Sequence, residues 1–235
     1  MVTVESNRGR LGNQMFAYAF GRLLAESLEY ALEAKPVRGF PNTAQVVHGT
    51  ILAQSDVLIK DSLEPFDAIM ARCAGHKVRV HGYFEQSRFY LEHQAKLKEW
   101  FIPEIVKSAT NKTVVHIRGT DFIKHGKILP QQYYLDALET LGNPSDVIIC
   151  TDDPFLDVVK YFQAQGAAIS SESDLKDFAT MMAAKHLVTS LSTFAWWAGF
   201  LSNSIVVQPI PKKGWRSAEN QKFNLDNPRW IGIPC

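Results

Sequence analysis

The stretch V-V-H-I-R-G-T-D-F, residues 114–122, decides the fold. Two β-branched residues lead into His116, Arg118 and Asp121, a pattern typical of a buried strand that ends in polar groups. Open α/β sheets bind their ligands at the carboxyl ends of their strands. A guanidinium at such an end can bind a phosphate through two parallel hydrogen bonds, and a nearby carboxylate can orient it or bind sugar hydroxyls. A surface Arg–Asp pair would explain the same residues, so the rest of the chain has to decide.

The composition is that of an ordinary globular protein. The 235 residues are 46% hydrophobic, which suffices for the core of one large domain or two small ones. A net charge of +1 argues against nucleic acid or an anionic surface as a partner. The three cysteines lack C-x-x-C spacing, so they indicate neither a disulfide framework nor a zinc site. The sequence shows no signal peptide and no transmembrane run, which predicts a cytoplasmic protein and stays compatible with peripheral membrane contact.

A glycine-bearing loop follows the first strand pattern. The loop, S-N-R-G-R-L-G-N-Q at residues 6–14, precedes an apolar helix predicted over 15–32. Gly9 and Gly12 let a ligand approach the backbone, and the helix that follows offers its first N–H groups to an anion. A plain turn would explain the glycines, but it does not require the long polar side chains that crowd the same loop: Arg8, Arg10, Asn13 and Gln14. The pattern therefore favours a binding loop.

A second polar stretch, H-G-Y-F-E-Q-S-R-F-Y at residues 81–90, follows a short strand pattern at 77–80. Aromatic rings mixed with amide and charged groups suit a sugar, whose apolar face stacks on rings while its hydroxyls form hydrogen bonds. Phe89 and Tyr90 are assigned to the core, and the site candidates are His81, Tyr83, Glu85 and Gln86. A connector over 103–112 then predicts a domain boundary near residue 108.

The second half of the chain alternates strands with helices. Apolar strand patterns occur at 114–117, 146–150, 187–191 and 205–208, and a shorter one ends at Ile169. Helices are predicted between them, including 131–141, 155–165 and 177–185. This alternation predicts a doubly wound, nucleotide-binding sheet with polar residues at its strand ends.

Two of these strand ends carry further candidates. Asp152 and Asp153 in T-D-D-P either cap the helix at 155–165 or form a metal-binding acidic pair, and the cap is the favoured interpretation. Ser192 and Thr193 open an apolar helix. Their hydroxyls and the first-turn amides predict a phosphate site in which one hydroxyl also caps the helix.

Five stretches together resemble the α-1,2-fucosyltransferases of the α-1,2/α-1,6/O-fucosyltransferase superfamily. They are, in chain order, G-R-L-G-N-Q-M-F-A-Y-A-F at 9–20, H-G-Y-F-E-Q-S-R-F at 81–89, H-I-R-G-T-D-F at 116–122, T-D-D-P at 151–154 and S-T-F-A-W-W at 192–197. One short motif is weak, whereas five in order are specific.

The resemblance implies an α/β fold of the GT-B type, with two facing Rossmann-like domains. An acceptor-side domain would span residues 1–108, and a GDP-fucose-binding domain would span 109–235, with a tail after about residue 212 that could pack back on the first domain. The implied reaction moves L-fucose from GDP-β-L-fucose to a galactoside hydroxyl, in α-1,2 linkage, with inversion and without metal or cofactor. Its partners would be GDP-fucose and a galactose-containing glycan.

The resemblance also implies roles for individual residues. Arg118 would bind the β-phosphate and stabilise departing GDP, His116 would lie by the guanine or ribose, and Asp177 is similar in placement to a guanine-binding carboxylate. The remaining donor-binding candidates are Gly12, Asn13, Asp152, Ser192 and Thr193, and the acceptor-binding candidates are Tyr83, Glu85 and Gln86.

The sequence departs from the common family form directly after Arg118. That form has a second Arg there, whereas Gly119 and Thr120 follow here, and Lys124 or Arg10 could supply the missing cation.

The acceptor hydroxyl needs a base, for which Asp121 is the first candidate, with Glu85 and His125 as alternatives. Two other functions stay open: a transferase that uses a different nucleotide-sugar donor, and a non-catalytic sugar-binding protein with a degenerate donor site.

Overall fold

The computed structural model describes residues 1–5, 9–52, 56–61, 64–124, 128–210 and 227–235, and for Asp121 and Lys124 it describes the backbone only. The predictions made for Arg8, for His125 and for residues 211–226 of the tail lie outside the described residues. The chain divides into two compact units, Met1–Glu104 and Ile105–Cys235. The sequence placed this division near residue 108.

Within its described residues, the first unit contains a four-stranded parallel sheet in the order β2-β1-β4-β3. The strands are β1 (Val2–Val4), β2 (Leu32–Glu33), β3 (Asp56–Lys60) and β4 (Lys77–His81). The helices are α1 (Leu11–Ser27), α2 (Phe66–Cys73) and α3 (Gln94–Trp100), with 3-10 turns at Pro41–Ala44, Ser87–Phe89 and Leu91–His93.

The helix α1 starts four residues earlier than predicted and also ends earlier. Leu11 is buried and begins the apolar spacing that Met15 continues, so the helix includes residues that the sequence assigned to a loop. Gly12 and Asn13 therefore lie in the first helical turn. At the other end, Glu29 adopts a positive φ of 56°, which ends the helix before β2.

An aromatic cluster holds α1 to the segment after β4. The rings of Phe20 and Phe84 stack with centroids 3.9 Å apart, and Tyr90 donates a hydrogen bond of 2.7 Å from its hydroxyl to the Phe84 carbonyl. Both Phe89 and Tyr90 are buried, which confirms their assignment to the core.

The second unit has a six-stranded parallel sheet in the part of the chain that the structure describes, in the order β10-β9-β8-β5-β6-β7. Its strands are β5 (Thr113–Ile117), β6 (Val147–Thr151), β7 (Ala168–Ser170), β8 (His186–Val188), β9 (Ile205–Ile210) and β10 (Trp230–Pro234). Its helices are α4 (Asp121–Lys124), α5 (Gln131–Thr140), α6 (Asp157–Ala164), α7 (Asp174–Met182) and α8 (Thr193–Leu201).

Counted from β5, this strand order is the 3-2-1-4-5-6 order of the Rossmann fold. The topological switch point, where such folds bind ligands, lies between β5 and β8. The prediction of an α/β protein with two parallel-sheet, Rossmann-like units is therefore confirmed. The described end of the tail forms β10, which pairs with β9 in the second unit; the sequence had left open that the tail packs on the first.

The two faces of the second sheet differ in what they carry. Val115, Ile117 and Ile149 point to one face and share a core cluster with residues of α5 and α6. The alternate residues His116 and Cys150 lie in register on neighbouring strands, and Cys150 is in register with Ser170. Because register-paired residues of parallel strands face the same side, the opposite face carries a row of polar atoms towards its carboxyl end.

No helix among the described residues combines the length and the apolar character needed to cross a bilayer.

Tyr133→Phe tests the packing of α5 on this sheet. The buried Tyr133 hydroxyl donates a 2.7 Å hydrogen bond to the carbonyl of Thr189, the residue after β8. Its loss leaves a buried acceptor short of one bond, so we expect the free energy of unfolding in urea to fall by about 1 kcal/mol. The control is Tyr161→Phe on the exposed side of α6, which should change little. Equal stabilities for the two variants would contradict the assignment.

Candidate active site

The strand β5 delivers His116 and Arg118 to the switch point of the second sheet. Val115 and Ile117, on either side of His116, are fully buried and fix the strand in the sheet. Because successive strand residues face opposite sides, His116 lies on the other face. Arg118 directly follows the last strand residue, and its side chain is 11% exposed. Both side chains predicted to form the site therefore stand where Rossmann-like sheets bind ligands.

His116 is buried and bonded across the switch point. Its Nδ1 lies 2.8 Å from the hydroxyl oxygen of Ser190, just beyond β8, and its ring centroid lies 5.9 Å from that of Phe194 in the first turn of α8. Burial, helped by the positive charge of Arg118, lowers the pKa of His116 to about 4. The imidazole is therefore neutral near pH 7 and acts as a hydrogen-bonding group.

Arg118 pairs with Asp152, which follows β6. Its Nη1 lies 2.8 Å from Asp152 Oδ2, and its guanidinium carbon lies 5.5 Å from the centroid of the Phe122 ring. The same carboxylate accepts hydrogen bonds from the Gly119 N–H at 2.7 Å and from the Thr120 hydroxyl at 2.8 Å. The carboxylate that orients Arg118 thus comes from the neighbouring strand.

The cap predicted for T-D-D-P is wrong. The helix α6 begins at Asp157, with Leu156 at its N-cap and no side-chain cap bond. Asp153 instead accepts a 3.0 Å hydrogen bond from the Phe155 N–H, a local turn that an Asp before Pro readily forms. The two acidic side chains therefore bind different groups.

Asp177 is buried on the same side of the sheet as His116. Its Oδ1 accepts a 2.6 Å hydrogen bond from the Ser170 hydroxyl at the end of β7. Burial raises the pKa of Asp177, with Lys107 as a countering positive charge. The helix α7 begins at Asp174, three residues before the predicted start, because Ser173 caps it by accepting from the Lys176 N–H at 3.3 Å.

The N-terminus of α8 lies beside His116. Ser192 occupies the N-cap position, as predicted, but its side chain makes no cap hydrogen bond, and Thr193 is the first helical residue. Phe194 links this end of α8 to α7, because its ring lies 5.3 Å from that of Phe178, next to Asp177. The second unit thus brings together the turn after β5, the start of α8 and the Asp177 region.

The donor candidates of the first unit sit at the start of α1. Gly9 has a φ of 81°, and a Cβ there would lie 2.9 Å from the Asn13 side chain, so the close approach requires glycine. Gln14 donates a 3.2 Å hydrogen bond from Nε2 to the Gly9 carbonyl. Gly12 is buried in this turn.

The acceptor candidates lie on a turn after β4 that Asp61 holds. Asp61 Oδ1 accepts from the N–H groups of Tyr83 at 2.9 Å and Phe84 at 2.6 Å. Phe84, with a φ of 53°, is buried, while the Tyr83, Glu85 and Gln86 side chains are half-buried.

Beside this turn, Glu5 at the end of β1 pairs with Arg79, and its Oε2 lies 3.6 Å from Nδ1 of His81. This polar group stands between β1 and β4, which are neighbours in the first sheet.

Sequence reasoning missed the residues that hold these candidates: Ser190, Ser170, Asp61 and Glu5. Each is a common polar residue with no distinctive spacing, so the signal exists only once the strand order is known. The described residues contain no group of three or more His, Cys, Asp or Glu side chains placed to hold a metal ion.

The family model for glycosyl transferase family 11 matches residues 74–234, a span that contains four of the five motifs. An alpha-1,2-colitosyltransferase of Escherichia coli is 24% identical, with the alignment covering 99% of both chains. The O-antigen biosynthesis glycosyltransferase WbnK of Escherichia coli is 27% identical over 55% of this chain and 47% of that protein.

Among solved structures, the E. coli ADP-heptose lps heptosyltransferase II aligns over 99% of this chain and 89% of its own, with a TM-score of 0.49 and 13% identity.

His116→Gln tests the buried neutral imidazole. The pKa of His116 is lowered in the folded protein, so its contribution to stability is full above pH 6.5 and is lost as the pH falls towards 4. The unfolded chain binds a proton that the folded chain does not, and this difference amounts to about 3 kcal/mol. We expect the variant to lose this component of the pH dependence in denaturant unfolding measured from pH 7 to 4.

The matched control is His48→Gln at an exposed position, which should keep the wild-type slope. A slope in His116→Gln equal to that of wild type would show that His116 is not a buried neutral group.

Proposed function

This chain belongs to glycosyl transferase family 11, and we propose that it transfers L-fucose from GDP-β-L-fucose to a galactoside hydroxyl, in α-1,2 linkage and with inversion. The observation that carries the proposal is the placement of Arg118 at the carboxyl end of β5, at the switch point of a sheet with Rossmann strand order. The neutral His116 and the start of α8 stand beside it.

The reaction develops negative charge on the departing diphosphate. The acceptor oxygen bonds to C1 of the sugar as the bond from C1 to the β-phosphate oxygen breaks, and the acceptor proton goes to a base. Arg118 and the first-turn N–H groups of α8, with the hydroxyls of Ser192 and Thr193, would stabilise the phosphate charge. This supply of positive charge is the reason for proposing transfer without a metal.

We propose that Asp177 recognises the guanine of the donor nucleotide. Guanine presents two neighbouring donors, N1–H and the N2 amino group, which a carboxylate can accept together. Ser170 orients the carboxylate through Oδ1, and burial removes competing water. Hydrogen bonds from guanine would favour the ionised form that burial alone disfavours.

The first unit would supply the remaining contacts. Gly12 and Asn13 at the start of α1 are proposed to approach the diphosphate and sugar, and the acceptor would bind to Tyr83, Glu85 and Gln86. For the base that takes the acceptor proton we keep Asp121, the first residue of α4 and close in sequence to Arg118.

A second candidate concerns the donor sugar. The relative aligned over 99% of both chains is an alpha-1,2-colitosyltransferase, and colitose is fucose without its 3-hydroxyl. GDP-colitose would occupy the same diphosphate and guanine contacts, so only the sugar contacts would differ.

A donor panel separates these possibilities. The full chain is titrated with GDP-fucose, GDP-colitose, GDP-mannose and UDP-galactose while its thermal stability is followed, because only a ligand of the folded state raises stability by mass action. Products formed with a panel of galactosides are then analysed by mass and linkage. We expect stabilisation by GDP-sugars and transfer of fucose. Transfer of colitose alone would favour the second candidate, and binding without transfer would favour a sugar-binding protein.

Arg118→Ala should lower kcat with GDP-fucose by roughly 100- to 1000-fold, the range for removing one preorganised charge-stabilising group. The fold should persist, as judged by circular dichroism. The control is Arg72→Ala on the exposed side of α2, which should keep wild-type turnover. Near-normal turnover in Arg118→Ala would overturn the assignment.

Asp177→Asn should weaken GDP binding about 10- to 100-fold, because a charged acceptor of two guanine donors is lost. Asp174→Asn, at an exposed position in the same helix, serves as the control. Calorimetry with GDP and UDP provides the measurement, and an equal loss for the two nucleotides would contradict base recognition by Asp177.

A further inference from the structure

The turn from Arg118 to Thr120 is held in a strained conformation. Thr120 adopts a positive φ of 32°, which is an outlier for a β-branched residue. Such backbone persists only when surrounding contacts fix it, and it concentrates at functional sites. The contacts that fix this turn therefore bear on what the turn does.

Asp152 supplies those contacts from the neighbouring strand. One oxygen accepts from the Gly119 N–H at 2.7 Å, and the other accepts from the Thr120 hydroxyl at 2.8 Å and contacts the Arg118 guanidinium at 2.8 Å. A single carboxylate thus bonds to consecutive residues of the turn, and it does so through both oxygens.

The close approach of the T-D-D-P segment leaves no room for a side chain at position 119. A Cβ added to Gly119 would lie 2.4 Å from the Cβ of Asp153, a distance that such atoms essentially never show. The glycine that replaces the second Arg of the common family form is therefore required by this packing. Arg118 supplies the positive charge of this turn, and the hydrogen bonds to Asp152 fix its backbone conformation.

Arg118 is confined on two sides by this arrangement. Asp152 holds one guanidinium nitrogen, the Phe122 ring lies 5.5 Å from the guanidinium carbon, and 11% of the side chain is exposed. A guanidinium that is fixed before the ligand binds needs no reorganisation during the reaction. Such a preorganised charge stabilises the transition state most effectively.

We propose that Asp152 is a positioning residue, which locks Arg118 and the strained Gly119–Thr120 turn into the conformation that receives the donor diphosphate. This inference rests on the proposed function, and it gives Asp152 a role other than direct contact with the donor.

The test compares Asp152→Asn with its neighbour Asp153→Asn in the full chain. Asn cannot accept at both side-chain positions, so Asp152→Asn should lower kcat with GDP-fucose about 10- to 100-fold, the loss expected for a misplaced charged group. The Kd for guanosine, which lacks the diphosphate, should change less than about threefold. Asp153→Asn should keep wild-type kcat, because its bond is to the local turn at Phe155.

Non-additivity distinguishes positioning from a merely structural role. If Asp152 acts through Arg118, the double variant with Arg118→Ala should be no slower than Arg118→Ala alone. Independent losses that multiply would overturn the proposal.

A second pair of variants decides the matter if Asp152→Asn does not fold. Thr120→Val removes the hydroxyl that donates a hydrogen bond to Asp152, and Thr120→Ser keeps it. Thr120→Val should lose substantially more kcat than Thr120→Ser, and equal losses would overturn the proposal.

Failure of this inference and failure of the proposed function give different results. A wild-type kcat for Asp152→Asn beside a severe loss for Arg118→Ala would sink the positioning role alone. Normal turnover in Arg118→Ala would sink the donor-site assignment itself.

Discussion

The parallel pairing of β5 with β6 on one side and β8 on the other is the constraint on which the second unit's site depends. Connections leave these strands towards opposite faces of the sheet, so the carboxyl end of β5 opens between them. The segments after β6 and β8 also each bond to one residue at the carboxyl end of β5. The segment after β8 bonds His116 through Ser190, and the segment after β6 bonds Arg118 through Asp152. Fold and site are thus fixed by the same strand order.

Much of this fold could be predicted because its strands are short apolar runs. V-V-H-I at 114–117 and V-I-I-C at 147–150 each carry three β-branched residues, and β5 is buried along its whole length. Helix starts were predicted less well. The polar residues around Asn13 suggested a loop, but the buried Leu11 had already begun α1, and the Ser173 cap placed the start of α7 before Asp177.

The positions of several candidate residues in the fold could be predicted from the sequence, whereas the residues that hydrogen-bond to them could not. His116 and Arg118 could be named because they end a strand, and Ser192 because it opens a helix. The bond from Ser170 to Asp177 joins the end of β7 to α7, and the bonds from Asp152 join the end of β6 to the turn after β5. Sequence spacing does not order strands, so a helix cap was the favoured interpretation of T-D-D-P, and the approach of the segment after β6 to Gly119 appears only in the structure.

A crystal structure of the full chain with GDP bound tests the central claim most directly. We expect β-phosphate oxygens within hydrogen-bond distance of Arg118, the diphosphate near the first turn of α8, and the guanine N1–H and N2 amino group on the carboxylate of Asp177. GDP bound away from the carboxyl end of β5, or with its guanine edge turned from Asp177, would contradict it.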